Sequence, residues 1–246
     1  MSEYSVTIPW GQEKEVYSET FNNREMFLGA IGATPDGRVF RWAYSGGAIG
    51  AGERVETSPA VAADDQDLAV QAAGAVGDVT VSITSAATIA ADLYKDGYLF
   101  TNDGAGEGHV YAIKSMPLVT GSATVVVTLR EKLREAVTTS TLVGFVKNPY
   151  KDVIIGTAAS NAGATVGVAP TEVTDNDYFW CQESGVCAVL AEDAAMVIGD
   201  GIECGVNVAG AFQLHDVSAD TDKRPLGELM QVAPAAGDSA LVILRV

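Results

Sequence analysis

The stretch Asp78-Val79-Thr80-Val81-Ser82-Ile83-Thr84 alternates apolar and polar side chains from one position to the next. Because successive side chains of a strand point to opposite faces of the sheet, this alternation predicts a β-strand with one buried face. Runs of β-branched residues at 124–129, 152–156 and 240–244 predict further strands. Glycine and proline fall mostly between such runs, where turns need them. We therefore expect an all-β protein, a barrel or a sandwich.

The charge of the chain limits its partners. The 246 residues include 15 Lys and Arg against 32 Asp and Glu, which gives a formal net charge of −17. A field of this sign repels nucleic acid and anionic membrane surfaces, so neither is expected as a partner. The sequence has no apolar run long enough for a transmembrane helix, and residues 1–7 do not resemble a secretory signal. Synthesis in a cytoplasm is the default expectation.

Composition shifts along the chain predict an inserted module. Residues 61–110 hold eight acidic residues and one basic residue, whereas residues 129–152 hold five basic and three acidic residues. Strands rich in aromatic residues occur before position 60 and again near 178. The predicted organisation is an extended N-terminal arm at 1–26, a discontinuous β-barrel domain at 27–60 plus 136–246, and an inserted β module at 61–135.

Two segments of the chain repeat one pattern. Gly37–Trp42 and Asp177–Trp180 are each followed by a turn containing Ser and Gly and then by an apolar segment that ends at Gly and an acidic residue. The pattern fits a duplicated β unit, and it also fits two similar hairpins of one barrel. We favour two elements of one barrel.

Metal and cofactor sites are not predicted. The loop 102–108 has acidic residues near glycines, which suits either a calcium ligand set or a tight turn. Because the EF-hand spacing is missing, we predict the turn. The three cysteines, Cys181, Cys187 and Cys204, lack the spacing of a zinc site and are odd in number, so we expect buried thiols.

Catalytic residues are not predicted either. His109 and His215 are isolated, and no nucleophile motif accompanies them. The acidic pairs Asp64-Asp65 and Glu192-Asp193 fit glycosidase carboxylates, but they also fit solvated loops in a chain with 32 acidic residues. We expect a protein that is not an enzyme and that needs no cofactor.

A binding surface is predicted from two groups of residues. Aromatic residues of the arm lie among polar ones, as interface anchors do. The basic residues at 130–151 fit a cationic stripe that faces an acidic partner or a second copy of the chain, and they also fit a solvated strand edge that charge protects from aggregation. The predicted interface residues are Trp10, Tyr17, Phe21, Arg130, Lys132, Arg134, Lys147 and Lys151.

Three segments carry a resemblance to a known group of proteins. Residues 96–115, DGYLFTNDGAGEGHVYAIKS, are followed by VGFVKNPY at 143–150 and by TVGVAP at 165–170. Together they resemble virion structural proteins of tailed bacteriophages that infect aquatic bacteria, over roughly residues 27–246. Residues 194–246, with their Gly-Asp turns, look like small β-barrel head-decoration proteins.

The resemblance implies a role without catalytic residues. Proteins of this kind, the capsid decoration or cement proteins, bind the major capsid protein, commonly as homotrimers, and stabilise the shell. We therefore expect the chain on the capsid surface of a virion, after synthesis in the cytoplasm of the bacterial host. One alternative is a tail or head-fibre component that binds host-surface carbohydrate. Another is a carbohydrate-active or calcium-dependent binding module.

Overall fold

The computed structural model describes residues 5–7, 13–18, 20–21, 26–61, 66–158, 162–215 and 225–246. For residues 5–7, 20 and 21 it describes the backbone alone. The chain divides into two compact units: unit 1 comprises Met1–Pro59 and Pro149–Val246, and unit 2 comprises Ala60–Asn148. No α-helix occurs among the described residues. The predicted all-β fold class is confirmed, with one half-barrel sheet and one nearly closed barrel.

Within the described residues the regular elements are eighteen strands and one 3-10 helix, Glu13–Tyr17. In chain order the strands are β1 Ser5–Thr7, β2 Thr20–Phe21, β3 Ile31–Ala33, β4 Val39–Tyr44, β5 Arg54–Glu56, β6 Leu68–Ala69, β7 Thr80–Thr84, β8 Tyr98–Asp103, β9 Val110–Ser115, β10 Thr124–Leu129, β11 Leu142–Val146, β12 Ile154–Ile155, β13 Thr165–Val168, β14 Asp177–Leu190, β15 Gly201–Cys204, β16 Phe212–Leu214, β17 Gly227–Gln231 and β18 Ser239–Arg245.

Unit 1 is built on one long strand, β14. Its first half pairs antiparallel with β4, and its second half pairs antiparallel with β18. The main path of the twelve-stranded sheet runs β1-β3-β4-β14-β18-β17-β15-β16. Trp42 and Trp180 lie directly opposite each other on β4 and β14, with ring centroids 5.1 Å apart in an edge-to-face arrangement. The two segments with the repeated aromatic pattern therefore lie side by side in one sheet.

Unit 2 is a six-stranded barrel in the order β6-β11-β8-β9-β10-β7. Every second side chain of its strands enters the interior, and Ile83, Ile113 and Val127 are fully buried there. A bridge between Val70 and Ile83 brings the two ends of the sheet together and nearly closes the barrel. Closure removes most of the exposed strand edge that would otherwise promote aggregation.

The boundaries of the units differ from the predicted ones. The inserted module was predicted to end at 135, but unit 2 continues to Asn148, because β11 pairs with β8 along its whole length. The predicted arm also differs in its described parts. Strand β1 pairs with β3, β2 pairs with β14, and Val16 of the 3-10 helix is fully buried. These parts of residues 1–26 belong to the sheet and core of unit 1.

A buried ion pair lies in unit 1. Arg54 and Glu56 lie two residues apart on β5, on the same side of the strand, and both side chains are fully buried. The Arg54 guanidinium binds the Glu56 carboxylate and donates to Thr165 Oγ1 at 3.1 Å and to the Thr157 carbonyl at 2.9 Å. The carboxylate also accepts from the backbone N–H of Ala162 at 3.1 Å. The pair therefore links β5 to the chain that leads into β13.

Candidate functional site

The loop 102–108 forms a turn. Gly104, Gly106 and Gly108 all have φ near +82°, the left-handed region that glycine adopts without strain. The Asp103 carboxylate accepts from the Gly104 backbone N–H at 2.8 Å, and the Asn102 side-chain amide donates to Asp67 at 2.6 Å. Among the described residues no group of three or more His, Cys, Asp or Glu is placed to hold a metal ion.

Both histidines contact polar partners. His109 Nδ1 lies 3.3 Å from the Tyr111 hydroxyl and 3.9 Å from a Glu135 carboxylate oxygen. His109 precedes β9 in the turn after β8, so it does not lie within the strand itself. His215 Nδ1 lies 2.6 Å from the carboxylate of Glu203, which is fully buried. These contacts orient the two imidazole rings.

The cysteines are free thiols. Burial raises the pKa of Cys181 well above its usual value and raises that of Cys187 to about 12. A thiol of this kind stays protonated near neutral pH and is a poor nucleophile. Cys204 is less buried than the other two.

The predicted aromatic anchors fall partly outside the described residues. Trp10 lies outside them. Phe21 pairs through its backbone with Asp177, and its side chain is not described. Tyr17 is on the 3-10 helix with half of its surface exposed, and its hydroxyl accepts a hydrogen bond from Arg38 Nη1 at 3.0 Å. Tyr17 is therefore the one predicted anchor whose side chain the structure places.

The predicted basic residues are divided between the two units. Four of them are in unit 2, whereas Lys151 is in unit 1. Arg130 binds the carboxylate of Asp96. Arg134 pairs with Glu131 at 2.9 Å, and its guanidinium lies 4.7 Å from the centroid of the Tyr111 ring. The remaining predicted residues are Lys132, which is exposed, and Lys147, which is half-buried.

A cavity of about 390 Å³ lies in unit 1, and we call it the side cavity. Tyr17, Asp36 and Arg38 form a polar corner in its wall. Arg38 Nε donates to the Asp36 carboxylate at 2.7 Å. A hydrogen bond from Thr34, helped by Arg38, holds the pKa of Asp36 below its usual value, although burial opposes it. The corner therefore keeps both charges, and the arginine is held in a fixed orientation.

The rest of the side cavity is mostly apolar. Val186 and Ala188 of β14 and Leu241 of β18 contribute to its wall, together with Pro170. Apolar walls with a few placed polar groups are typical of binding sites, and the volume falls in their usual range. Tyr17 is the one residue of this cavity that the sequence predicted as an interface residue, because the walls of the cavity come from segments far apart along the chain.

The outer surface of unit 2 carries an apolar area, which we call the barrel face. It consists of Tyr98, Phe100, Val110, Ala112 and Val146. Tyr98 lies opposite both Val146 and Ala112, and Phe100 lies opposite Val110, so all five share one side of β11, β8 and β9. Tyr98, Val110 and Val146 are exposed, and the other two are half-buried.

Basic side chains border the barrel face. Lys114 follows Ala112 on the same side of β9 and is exposed. Arg130 donates its backbone N–H to the Ala112 carbonyl at 2.8 Å, and Lys147 follows Val146 directly. The barrel face therefore combines apolar surface with a border that holds the exposed Lys114 and the ion pair of Arg130 with Asp96.

Unit 1 also carries an exposed apolar area, which we call the loop patch. It consists of Val197, Ile198 and Met230. The loop that holds the first two is fixed beside β17, because Gly199 N–H donates to the Leu229 carbonyl at 2.9 Å. Val197 and Ile198 are 57% and 63% exposed, which is unusual for two successive large apolar residues.

The loop patch is held at its base by Glu192. The Glu192 carboxylate accepts from the backbone N–H groups of Asn207 and Val208 at about 3 Å. Burial raises the pKa of Glu192, but these bonds and the Asn207 side chain outweigh it, so the pKa lies below its usual value. The carboxylate stays ionised at neutral pH and ties the loop to the segment before β16.

Comparisons with known proteins give no relative. No family model matches the chain, no curated protein sequence is similar to it, and no solved structure matches its fold. Within the described part of the chain, no helix has both the length and the apolar character that a membrane span requires.

Proposed function

We propose that the protein is a non-enzymatic structural component of a bacteriophage virion, which decorates the capsid and stabilises it by bridging major capsid protein subunits. The observation that carries the proposal is the side cavity with half-exposed Tyr17 in its wall. Such a cavity fits a protruding side chain or loop of a partner protein, and tyrosine is enriched among residues that dominate protein interfaces. The resemblance to virion proteins supplies the class of partner.

The fold is suited to a bridging role. Each unit has its own hydrophobic core, so one chain presents surfaces from two separately packed β structures. A protein that binds the assembled shell more tightly than the separate subunits stabilises the shell by mass action. The net charge of −17 also keeps decorated particles apart in solution.

The first test is the number of copies of the chain per major capsid subunit in purified particles, measured by quantitative mass spectrometry. A ratio near one supports decoration. A ratio of a few per cent instead assigns the protein to the tail or to a head fibre, where binding of host-surface carbohydrate becomes the role to examine. Absence from particles overturns the virion assignment.

The second test asks whether the side cavity is the contact. Ala188 is exposed in the cavity wall, so Ala188→Trp fills the cavity without entering the core. We expect this variant to bind undecorated particles at least about tenfold more weakly than the parent protein. Ala90→Trp, at an exposed alanine of unit 2, is the matched control and leaves binding unchanged. Equal binding by both variants contradicts the assigned contact.

A further inference from the structure

The loop patch and the barrel face are both apolar. Each exposes large apolar side chains, which on a folded protein mark contact sites when they are contiguous. Ile198 projects from a loop, whereas Tyr98 and Val146 lie on the broad outer side of a sheet. A projecting apolar loop and a sheet surface of this kind bury apolar area against each other.

The two surfaces are also complementary in charge. Asp193 and Asp200 are exposed around the loop patch, and Glu228 is exposed there in an ion pair with Arg245 at 2.8 Å. At the border of the barrel face Lys114 is exposed, and Arg130 is exposed beside its ion-pair partner Asp96, which is buried.

The two units also differ in the size of their net charge. Unit 1 contains 9 basic against 22 acidic residues, a net charge of −13, whereas unit 2 contains 6 against 10, a net charge of −4. Six of the fifteen basic residues thus lie in the smaller unit. Both units are net negative, so contact between unit 1 of one molecule and unit 2 of another is repelled less than contact between two copies of unit 1.

We propose that the loop patch of one copy binds the barrel face of a second copy. Every copy carries both surfaces, so no further protein is needed. Because the two contacting surfaces differ, the interface is heterologous: copies form a closed ring where the rotation between neighbours closes, and an open filament where it does not. The inference goes beyond the capsid assignment and does not depend on it.

The test measures the mass of the purified protein by sedimentation over a wide range of concentration. We expect the mass of the parent chain to rise with concentration. Ile198→Asp and Val146→Asp each place a carboxylate in one surface and are expected to be monomeric. Leu118→Asp is the matched control, because Leu118 is 62% exposed and belongs to neither surface. It is expected to associate like the parent chain.

Mixing the two monomeric variants separates this interface from a symmetric one. Ile198→Asp keeps an intact barrel face, and Val146→Asp keeps an intact loop patch, so their mixture forms dimers and nothing larger. A parent chain that stays monomeric at every concentration overturns the proposal. So does a Val146→Asp variant that still associates alone, since that result means that copies associate without the barrel face. Because only the purified chain is used, the outcome is independent of any result on particles.

Discussion

Replacement of Arg54 by methionine tests how much the buried ion pair contributes to the stability of unit 1. The substitution keeps a long side chain but removes the positive charge beside Glu56, which is fully buried. The Glu56 carboxylate retains the Ala162 N–H at 3.1 Å, the Gly163 N–H at 3.3 Å and the Thr157 hydroxyl at 3.4 Å. Neutral donors do not replace a full charge, and removal of one partner of a buried pair costs about 3–5 kcal/mol. We expect Arg54→Met to lower the free energy of unfolding of unit 1 by that amount.

The assay is urea unfolding followed by tryptophan fluorescence. All three tryptophans of the chain fall within the ranges of unit 1, so the signal reports on that unit. The matched control is the double variant Arg54→Met with Glu56→Met, which removes both charges and keeps the volume. It is expected to recover most of the loss, because an apolar pair of similar size often replaces a buried ion pair at little cost. A single variant within about 1 kcal/mol of the parent chain, or a double variant less stable than the single one, refutes this account.

Three further outcomes follow from the structure. Glu192→Gln lowers the free energy of unfolding by about 1 kcal/mol or less at neutral pH, because the carboxylate is partly solvated. The pKa of Glu192 is depressed in the folded state, so its contribution is present above the usual value of 4.5 and is lost as the pH falls through the folded pKa. Unfolding measured at a series of pH values checks this. Gly167→Ala places a Cβ against the Gln182 carbonyl oxygen at φ +152°, and we expect it to lower the free energy of unfolding by more than about 2 kcal/mol. Gly37→Ala, at φ +85° with open space around it, is expected to lower it by about 1 kcal/mol in the same assay. A thiol reagent modifies Cys204 first and leaves Cys187 unmodified in the native state, because burial raises the pKa of Cys187 to about 12; rapid modification of Cys187 contradicts this expectation.

Local patterns predicted the strands that alternate or carry β-branched runs. The stretch at 78–84 contains β7, the run at 124–129 coincides with β10, and the run at 240–244 lies within β18. These strands are half-buried in a barrel or a sheet, so every second residue reports the buried face. Alternation is a local property, and it can be read without knowledge of the partner strand.

Features that depend on distant partners were not predicted. Arg54 and Glu56 contact residues about a hundred positions later, and nothing near β5 in the sequence marks two charged side chains as buried. Arg130 was expected in a cationic stripe, but its carboxylate partner lies 34 residues earlier. The far end of unit 2 had one usable signal, Pro149, since proline interrupts strand pairing.

The place where the chain leaves and re-enters unit 1 has a consequence for engineering. Glu56 and Ile154 are paired on neighbouring strands β5 and β12, a few residues from the two ends of unit 2. Paired strands lie about 5 Å apart, so the unit 1 scaffold requires only that an inserted domain have adjacent termini. Many small domains meet this condition. The junction at Pro59 and Pro149 is therefore a site at which a foreign domain with adjacent termini can be tested in place of unit 2.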